Sequence, residues 1–525
     1  MARQRGSTCP SRREVLARAA GACATAAGAC AAAVAGGPVA AARDLGRART
    51  VSIFHTTDLH GRILPTSTYD GLDDVGGLAR CATCIRRWRR ESPHSLTVDV
   101  GDVVQGTAVS LATGGGIMID LFNRLGYDAW TLGNHDFDWG PEKLEANLAA
   151  SRMPVLTGNV ERAGARAGSF AGAWAGVRPW IVREVGGFRI GLIGLITPGL
   201  PFWLPPALLA GAAATDPAAA LATSLREIAA EKPDAVVVAG HMGWRFHDDY
   251  ANPVREMLRG AKGVDVYLAG HSHQDRPAWS QHGVLCSQAS YYGIHCGRVD
   301  LTFDLDSRRL VDRRAFTLLM DDRFDLDPAV MERARPDLAR AEEQAARRVA
   351  TARRPLGGTG RDSAVARLLC ATFAAALGRH GRPVDGVFHG TFASGDIPAG
   401  EVTVGDCWRI IPYENVLVTA ELAGRDLLAV VAEDAGDAKS DRTLWPFEVV
   451  RDEAGRPRSV RRDGREVDPD RRFTIAFNSY DAQSAGRRLL KLREILDQPA
   501  ARLTTTPLDT RTALVEGLLD QGEIG

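Results

Sequence analysis

The sequence has no excess of charge of either sign and no long apolar run in its body. Its 64 Lys and Arg residues balance 64 Asp and Glu residues, so we do not expect a nucleic acid polymer as its main partner. Beyond residue 42 it lacks a segment long and apolar enough to span a bilayer, and it has no internal repeat. What is present, 525 residues of which 45% are hydrophobic, is typical of a globular protein of two or three domains.

Residues 1–42 have the features of a targeting segment. Arg12 and Arg13 precede an Ala- and Gly-rich, weakly apolar run over residues 19–42. This pattern resembles a twin-arginine export signal and predicts a periplasmic or extracellular protein. A disordered Ala-rich tail and an N-terminal lipoprotein signal are the alternatives.

The cysteines give no recognisable metal or redox pattern. Cys81 and Cys84 form one Cys-x-x-Cys on a predicted helix over residues 76–91, and no second pair accompanies them. We therefore interpret them as buried helix cysteines. Export permits disulfides, and Cys286 with Cys296 is a candidate pair, although sequence alone does not fix the connectivity.

Short apolar runs alternate with helical patterns over residues 50–310, which predicts an α/β layered domain. Its strand candidates are Val51–His55, Leu96–Val100, Ala129–Leu132, Phe188–Ile196, Ala235–Ala239 and Val264–Ala269. Residues 328–354, rich in Ala, Glu and Arg, predict a solvated connecting helix. A smaller α/β domain is expected over residues 355–525, with strand candidates Asp385–Phe388, Val416–Glu421 and Arg472–Phe477.

Five polar motifs follow strand candidates, and each offers a side chain able to bind a metal. They are Thr57-Asp58-Leu59-His60, Gly101-Asp102, Gly133-Asn134-His135-Asp136, Gly240-His241 and Gly270-His271-Ser272-His273. Each motif alone is common, but ligands of open α/β sheets bind beyond the carboxyl ends of the strands. We therefore expect the five motifs to meet at one edge and to form one site.

The candidate ligands provide carboxylate oxygen, amide oxygen and imidazole nitrogen, but no thiolate. They are Asp58, His60, Asp102, Asn134, His241, His271 and His273. This mixture suits Mn, Zn, Fe or Co better than Ca or Mg. Seven ligands exceed the shell of one tetrahedral ion and predict two divalent ions bridged by a carboxylate, with residual positive charge that would attract a phosphate dianion.

These motifs resemble the calcineurin-type metallophosphoesterase signature. The segment Phe54-His55-Thr56-Thr57-Asp58-Leu59-His60-Gly61-Arg62 is similar to the 5′-nucleotidase and UDP-sugar hydrolase branch. The likeness is strong over about residues 50–310 and weaker over 355–500. It implies a four-layer αββα metal domain followed by a smaller α/β substrate-binding domain.

The resemblance also implies a role for each candidate ligand. It assigns Asp58, His60 and His273 to one metal, and Asn134, His241 and His271 to the other, with Asp102 as the bridge. It implies attack by a metal-bridging hydroxide, with His135 supporting the leaving group and Asp138 as its carboxylate partner. A helix N-terminal cap is the alternative role for Asp138.

In the second domain, the resemblance implies that a nucleobase stacks between Tyr413, in Ile411-Pro412-Tyr413-Glu414-Asn415, and Tyr480. It also places Asn415 and Arg367 among the substrate-binding residues. The alternatives are partly buried tyrosines at strand ends and a surface helix arginine.

Two segments depart from the family pattern. The expected Asn-Gly-Gly-x-Arg loop is replaced by His389–Ser394, and the expected Gly-Gly-Asp-Gly segment by Ser484–Arg488. Arg487 and Arg488 are the candidates to replace the missing positive charge.

The predicted function is therefore an exported two-metal phosphohydrolase for nucleotides or related phosphate esters. One alternative is a thiosulfohydrolase of sulfur oxidation, which shares the architecture and the export route. The other is an exported binding protein without turnover. The exact substrate, the metal and the oligomeric state are left open by the sequence.

Overall fold

The computed structural model describes residues 47–162, 174, 176–209, 211–391 and 395–525. The predicted export segment at residues 1–42 lies outside this part of the chain. No helix in the described part combines the length and the hydropathy needed to cross a bilayer.

The first domain alternates strands and helices, as its apolar patterning predicts. Its strands are β1 Ala48–Thr56, β2 Ser95–Asp99, β3 Ala129–Thr131, β4 Val155–Leu156, β5 Val160–Arg162, β6 Val177–Arg178, β7 Trp180–Val185, β8 Phe188–Ile196, β9 Ala212–Ala214, β10 Ala235–His241, β11 Val266–Ala269, β12 Asp275–Gln281, β13 Val284–Ala289, β14 His295–Asp304 and β15 Leu310–Leu319. Its helices are α1 Leu78–Glu91, α2 Ala108–Ala112, α3 Gly116–Leu125, α4 Gly140–Ala150, α5 Pro206–Leu209, α6 Pro217–Ile228, α7 Val254–Gly260 and α8 Pro328–Ala345.

Two stacked sheets form the centre of this domain. The first has the strand order β15-β14-β1-β2-β3-β4-β6 and the second has the order β12-β13-β11-β10-β8-β7. Strands β1, β2 and β3 are parallel, and so are β8, β10 and β11. The nearly unbroken apolar runs of β8 and β10 fit strands that are covered on both faces.

The packing around the sheets gives the expected four layers. Ile53 and Val98 of the first sheet share a core with Leu192 and Val237 of the second. Helices α1, α3 and α4 cover the outer face of the first sheet, and α6 and α7 cover the outer face of the second. The αββα order follows, and it leaves the carboxyl ends of the parallel strands open at one edge.

The helix expected over residues 328–354 is present, but it is shorter than predicted and one of its faces is buried. Helix α8 ends at Ala345, and it buries Val330, Ala334 and Ala341 in the core beneath the first sheet. Small alanines pack closely without the large apolar residues that mark a buried face in a sequence. Residues 348–352 are instead a strand of the second domain.

The second domain is built around a five-stranded sheet. The strands of the whole domain are β16 Arg348–Ala352, β17 Gly386–His389, β18 Gly400–Thr403, β19 Val416–Ala423, β20 Thr443–Trp445, β21 Glu448–Arg451, β22 Pro457–Arg462, β23 Arg465–Glu466, β24 Arg472–Asn478, β25 Thr504–Asp509 and β26 Glu523–Ile524. Its helices are α9 Ala364–Arg379, α10 Val404–Ile410, α11 Gly424–Ala435, α12 Ser479–Ala482, α13 Leu490–Leu496 and α14 Thr510–Gln521. The sheet order is β20-β17-β24-β19-β25, with α9 and α14 on one face and α11 and α13 on the other.

The proposed Cys286–Cys296 disulfide is not present. Both thiols are free and buried, as are the other cysteines in the described part of the chain. Cys286 lies in the core outside the second sheet, whereas Cys296 lies in the core outside the first sheet, near Cys81 and Cys84. Two sheets therefore separate the two sulfur atoms. Cys81 and Cys84 are buried on α1, as interpreted from the sequence.

Candidate active site

The five metal-competent motifs come together where the parallel strands of both sheets end. Two groups of side chains have ligand atoms within 4.8 Å of one another: Asp58 with His60 and His273, and Asp102 with His241 and His271. Strands β1 and β2 of the first sheet and β10 and β11 of the second carry these groups. The edge thus holds two adjacent clusters of carboxylates and imidazoles.

Asp102, a member of the second cluster, also faces the first cluster. Its Oδ2 is 3.0 Å from His241 Nε2 and 3.7 Å from His60 Nε2. In the first cluster, His273 Nε2 is 3.3 Å from Asp58 Oδ1 and 3.1 Å from His60 Nε2. One carboxylate therefore approaches both clusters, which is the placement that a bridging ligand needs.

Three buried ligand atoms lie at this edge: Asn134 Oδ1 has no hydrogen-bond partner among the described residues, and Asp102 Oδ2 and His241 Nε2, 3.0 Å apart, have none other than each other. A buried polar atom without a partner costs free energy, and these three belong to predicted ligands. An amide oxygen, a carboxylate oxygen and an imidazole nitrogen are a donor set for transition metals. The residues therefore fit a dinuclear metal site.

Hydrogen bonds on the far side of the imidazoles orient them. His241 Nδ1 lies 2.7 Å from Val100 O, and His60 Nδ1 lies 3.0 Å from Gln105 O. A carbonyl oxygen only accepts, so each Nδ1–H donates. Nε2 is then left for the site, which is the usual arrangement behind metal-binding histidines.

The backbone of the site is held in an unfavourable conformation. Five of the predicted ligands have φ in the left-handed region: Asp58 at 52°, His60 at 49°, Asp102 at 57°, His271 at 68° and His273 at 54°. Such residues cost about 1–3 kcal/mol each and concentrate at functional sites. Gly133 is required here because a Cβ atom would lie 2.2 Å from Asp102 Oδ1.

Asp136 joins two of the ligand loops, a role that the sequence did not reveal. Its Oδ2 accepts from the backbone N–H groups of Gly133 (2.8 Å) and Asp102 (3.1 Å). Its Oδ1 accepts from Val103 (2.9 Å) and Val104 (3.2 Å). One buried carboxylate thus fixes the loop after β2 against the loop after β3.

His135 and Asp138 form a partly buried pair at the edge of the site. His135 Nδ1 is 2.7 Å from Asp138 Oδ2. Burial alone would lower the pKa of His135, but the Asp138 and Asp102 carboxylates outweigh burial and raise the pKa to about 10. Helix α4 has Trp139 as its N-cap and no side-chain cap. Asp138 therefore pairs with His135 and does not cap that helix.

A cavity of about 530 Å³ lies between the two domains. Asn134, His135 and His271 line it from the first domain, and Tyr413 and Tyr480 line it from the second. The ring of Tyr413 stacks on His135, with centroids 5.7 Å apart and an interplanar angle of 16°. The sheet edge that carries the five metal-competent motifs is called the metal edge below. The predicted base-stacking tyrosines thus share one cavity with part of this metal edge.

The other predicted substrate-binding residues divide into two groups. Asn415 lines the cavity, and its Oδ1 accepts from Ser479 Oγ at 3.3 Å. Arg367 lies exposed on α9, outside the residues that line the cavity, and donates to Asp362 O. The structure therefore does not bring Arg367 to the site.

The two segments that depart from the family pattern, residues 389–394 and 484–488, differ in where their residues lie relative to the cavity. His389 is buried, and burial lowers its pKa to about 4, whereas Ser394 lies outside the described residues. Arg488 lines the cavity and donates to Tyr480 Oη at 2.9 Å. Arg487 instead packs over Phe202, 5.4 Å from its ring centroid.

Three further basic residues line the cavity, and no sequence pattern singled them out: Arg245, Lys439 and Arg442. Arg442 is only 6% exposed. Its Nε and Nη2 donate to Asp481 at 2.9 and 2.6 Å. Its charge is therefore compensated inside the second domain.

Comparisons with known proteins agree with this architecture. The sequence profile of the calcineurin-like phosphoesterases matches residues 51–275, and that of the 5′-nucleotidase C-terminal domain matches residues 348–491. The chain is 28% identical to the 5′-nucleotidase of Bos taurus over 305 residues, which cover 53% of this chain and 51% of the relative. It thus spans about half the length of the curated relatives it matches.

Two solved structures share the fold over most of their length. A 5′-nucleotidase precursor from Thermus thermophilus has a TM-score of 0.69 at 24% identity, covering 91% of this chain and 97% of the other. The sulfate thiohydrolase SoxB of Thermus thermophilus has a TM-score of 0.62 at 18% identity, covering 90% and 94%. With both profiles matched in order, this chain belongs to the family in which a calcineurin-like phosphoesterase domain precedes a 5′-nucleotidase C-terminal domain.

Proposed function

We propose that this protein is an exported, metal-dependent phosphoric ester hydrolase that acts on nucleotides or related compounds. The observation that carries the proposal is the set of three buried ligand atoms at the metal edge, where Asn134 Oδ1 has no hydrogen-bond partner among the described residues and Asp102 Oδ2 faces only His241 Nε2. Together with Asp58, His60, His271 and His273, these residues would hold two divalent ions of the Mn, Zn, Fe or Co type. When bound, such ions supply an activated water and positive charge for the phosphoryl oxygens.

The residues of the chain account for the rest of the reaction. Hydrolysis forms a bond from water oxygen to phosphorus and breaks the bond from phosphorus to the leaving oxygen, which needs a proton. Asp138 accepts from His135 Nδ1–H, so the Nε2 proton of the imidazolium is the one available for the leaving oxygen. Tyr413 and Tyr480 offer aromatic faces for a nucleobase in the same cavity.

A substrate panel tests the proposal. Mn-loaded protein is incubated with AMP, UDP-glucose and a cyclic nucleotide, and the phosphorus-containing products are measured. We expect turnover of at least one ester, and loss of that turnover after chelation and in an Asp102→Ala variant. Failure to hydrolyse any ester would exclude the function, and tight ligand binding without turnover would favour a binding protein.

A thiosulfohydrolase is the second candidate. It is favoured by the departures of the second domain from the nucleotidase pattern at residues 389–394 and 484–488 and by a fold shared with a sulfate thiohydrolase. Sulfate release from a carrier-bound thiosulfonate, measured beside phosphate release from AMP, separates the two candidates.

Export is proposed from Arg12 and Arg13 ahead of the weakly apolar run. The full chain is expected to reach the periplasm of a host with a twin-arginine translocase. An Arg12→Lys/Arg13→Lys variant should remain in the cytoplasmic fraction. Equal export of both proteins would remove the twin-arginine assignment.

A further inference from the structure

Gln105 is one of the side chains that connect the metal edge to the substrate domain. Gln105 lies three residues after Asp102, in the loop between β2 and α2, and is 1% exposed. Its Nε2 donates across the domain boundary to Glu414 Oε2 at 3.1 Å and to Pro412 O at 3.3 Å. These acceptors flank Tyr413, whose ring stacks on His135.

On the second-domain side of this contact, Glu414 is held by an ion pair with Arg511. Glu414 Oε1 accepts from Arg511 Nη1 at 2.7 Å. Arg511 is 6% exposed and also donates twice to Ile411 O, at 3.0 and 2.9 Å. Its guanidinium lies 3.4 Å from the centroid of the Trp408 ring. Gln105 therefore contacts a segment that the second domain already holds in place.

On the first-domain side, Gln105 contacts the predicted metal ligand His60. The backbone carbonyl of Gln105 accepts from His60 Nδ1–H at 3.0 Å. The same residue thus orients an imidazole of the metal edge through its backbone and binds the substrate domain through its side chain. Movement of the second domain away from the first would break both side-chain bonds and leave the partly buried carboxylate of Glu414 with Arg511 alone.

We propose that Gln105 is an interdomain latch: a positioning residue that docks the substrate domain onto the metal domain and thereby seats Tyr413 against His135. Gln105 lies outside the five motifs and outside the substrate-binding residues predicted from the sequence. The latch is a property of domain docking, so its test does not require that the protein hydrolyse any particular ester.

The test exchanges donor and acceptor across the boundary. Gln105→Glu replaces the donor by a carboxylate that faces Glu414 and Pro412 O, which is repulsive. In the double variant Gln105→Glu/Glu414→Gln, the side chain at position 414 keeps an oxygen for Arg511 and gains an N–H₂ group that donates to the carboxylate introduced at position 105. Gln344→Glu, the same change at an exposed position of α8, is the matched control.

Docking is measured in the full chain by small-angle X-ray scattering and by amide hydrogen exchange of residues 411–415. We expect Gln105→Glu to increase the radius of gyration and to speed exchange of that segment about 10-fold or more. The double variant should move both readouts back toward wild type, and Gln344→Glu should leave both unchanged.

Two results would overturn the latch. One is a Gln105→Glu protein with wild-type scattering and wild-type exchange. The other is a double variant that remains as open as the single variant although both melt at the wild-type temperature, because the pair would then contribute nothing specific to docking. Either result is distinguishable from failure of the proposed hydrolysis, which is measured by product release.

Discussion

Buried charges are compensated differently at the metal edge of the first domain and in the part of the second domain that lines and supports the cavity, which is called the wall below. At the metal edge, Asn134 Oδ1 is buried without a hydrogen-bond partner among the described residues, and the buried Asp102 Oδ2 and His241 Nε2 face only each other, on or near left-handed backbone. In the second domain, Arg442 pairs with Asp481 and Arg511 pairs with Glu414. One region therefore needs an external counter-charge, whereas the other compensates its charges internally.

This difference reflects what a cation site and a binding site for an organic substrate each require of the protein. A site for cations must present ligand atoms that the protein does not satisfy, and the fold around it must bear that cost. A wall that binds an organic substrate can be stable by itself and present a few exposed groups, such as the half-exposed Tyr413. Changes to the predicted metal ligands should therefore affect every substrate, and changes to the residues of the second domain that line the cavity should depend on the substrate.

The largest expected effect is at His135. His135→Ala removes the proton donor for the leaving group and should lower kcat for a nucleotide by about 10²- to 10⁴-fold. The loss should be much smaller for p-nitrophenyl phosphate, whose leaving group needs no proton. His380→Ala, at an exposed histidine, is the control. Equal losses for both substrates would contradict the assigned role of His135.

A second prediction compares the stability of the two regions. Arg442→Leu leaves Asp481 buried without its counter-charge and should lower the free energy of unfolding by about 3–5 kcal/mol. Asp102→Asn in metal-free protein should cost far less, since Asn tolerates the left-handed backbone and keeps an oxygen for the His135 N–H. Urea unfolding followed by circular dichroism measures both. A larger loss for Asp102→Asn would reverse the comparison.

Asp136 tests whether the metal edge depends on its supporting hydrogen bonds. Asp136→Asn replaces a carboxylate that accepts four backbone N–H groups and should weaken Mn binding about 10- to 100-fold. Titration calorimetry gives the affinity, and Asp520→Asn, at an exposed carboxylate, serves as the reference. Unchanged affinity would mean that the ligand loops are held by other contacts.

The smallest expected effect is at the wall. Tyr413→Ala should weaken nucleotide binding by about 1–3 kcal/mol through lost stacking, seen as a higher KM, whereas Tyr413→Phe should retain most of the affinity. Glycerol phosphate, which has no base, should show little change. An equal rise in KM for both substrates would mean that Tyr413 does not act by stacking on a base.

Much of the fold followed from local patterns. The strand candidates on both sides of the connecting helix are strands in the structure, because their apolar runs have a length and periodicity that a buried sheet requires. The metal motifs also follow strands, and parallel strands end at a common edge, so the sequence was sufficient to bring Asp58, Asp102 and His271 into one neighbourhood.

Other features required the tertiary structure. Gln105 and Asp136 act on groups that are close in space but carry no motif of their own. Arg367 matched a pattern, yet helix α9 exposes it outside the cavity. Cys286 and Cys296 are near in sequence, but they lie on opposite sides of two packed sheets.

The sequence by itself determined the layered fold and the chemical types of the ligands, because strand periodicity and side-chain chemistry are local properties. Only the tertiary structure decided which carboxylate joins the ligand loops, which arginines are already paired, and how the substrate domain meets the metal domain. Those outcomes depend on distances between residues far apart in the chain, and such distances are set by the packing of whole layers.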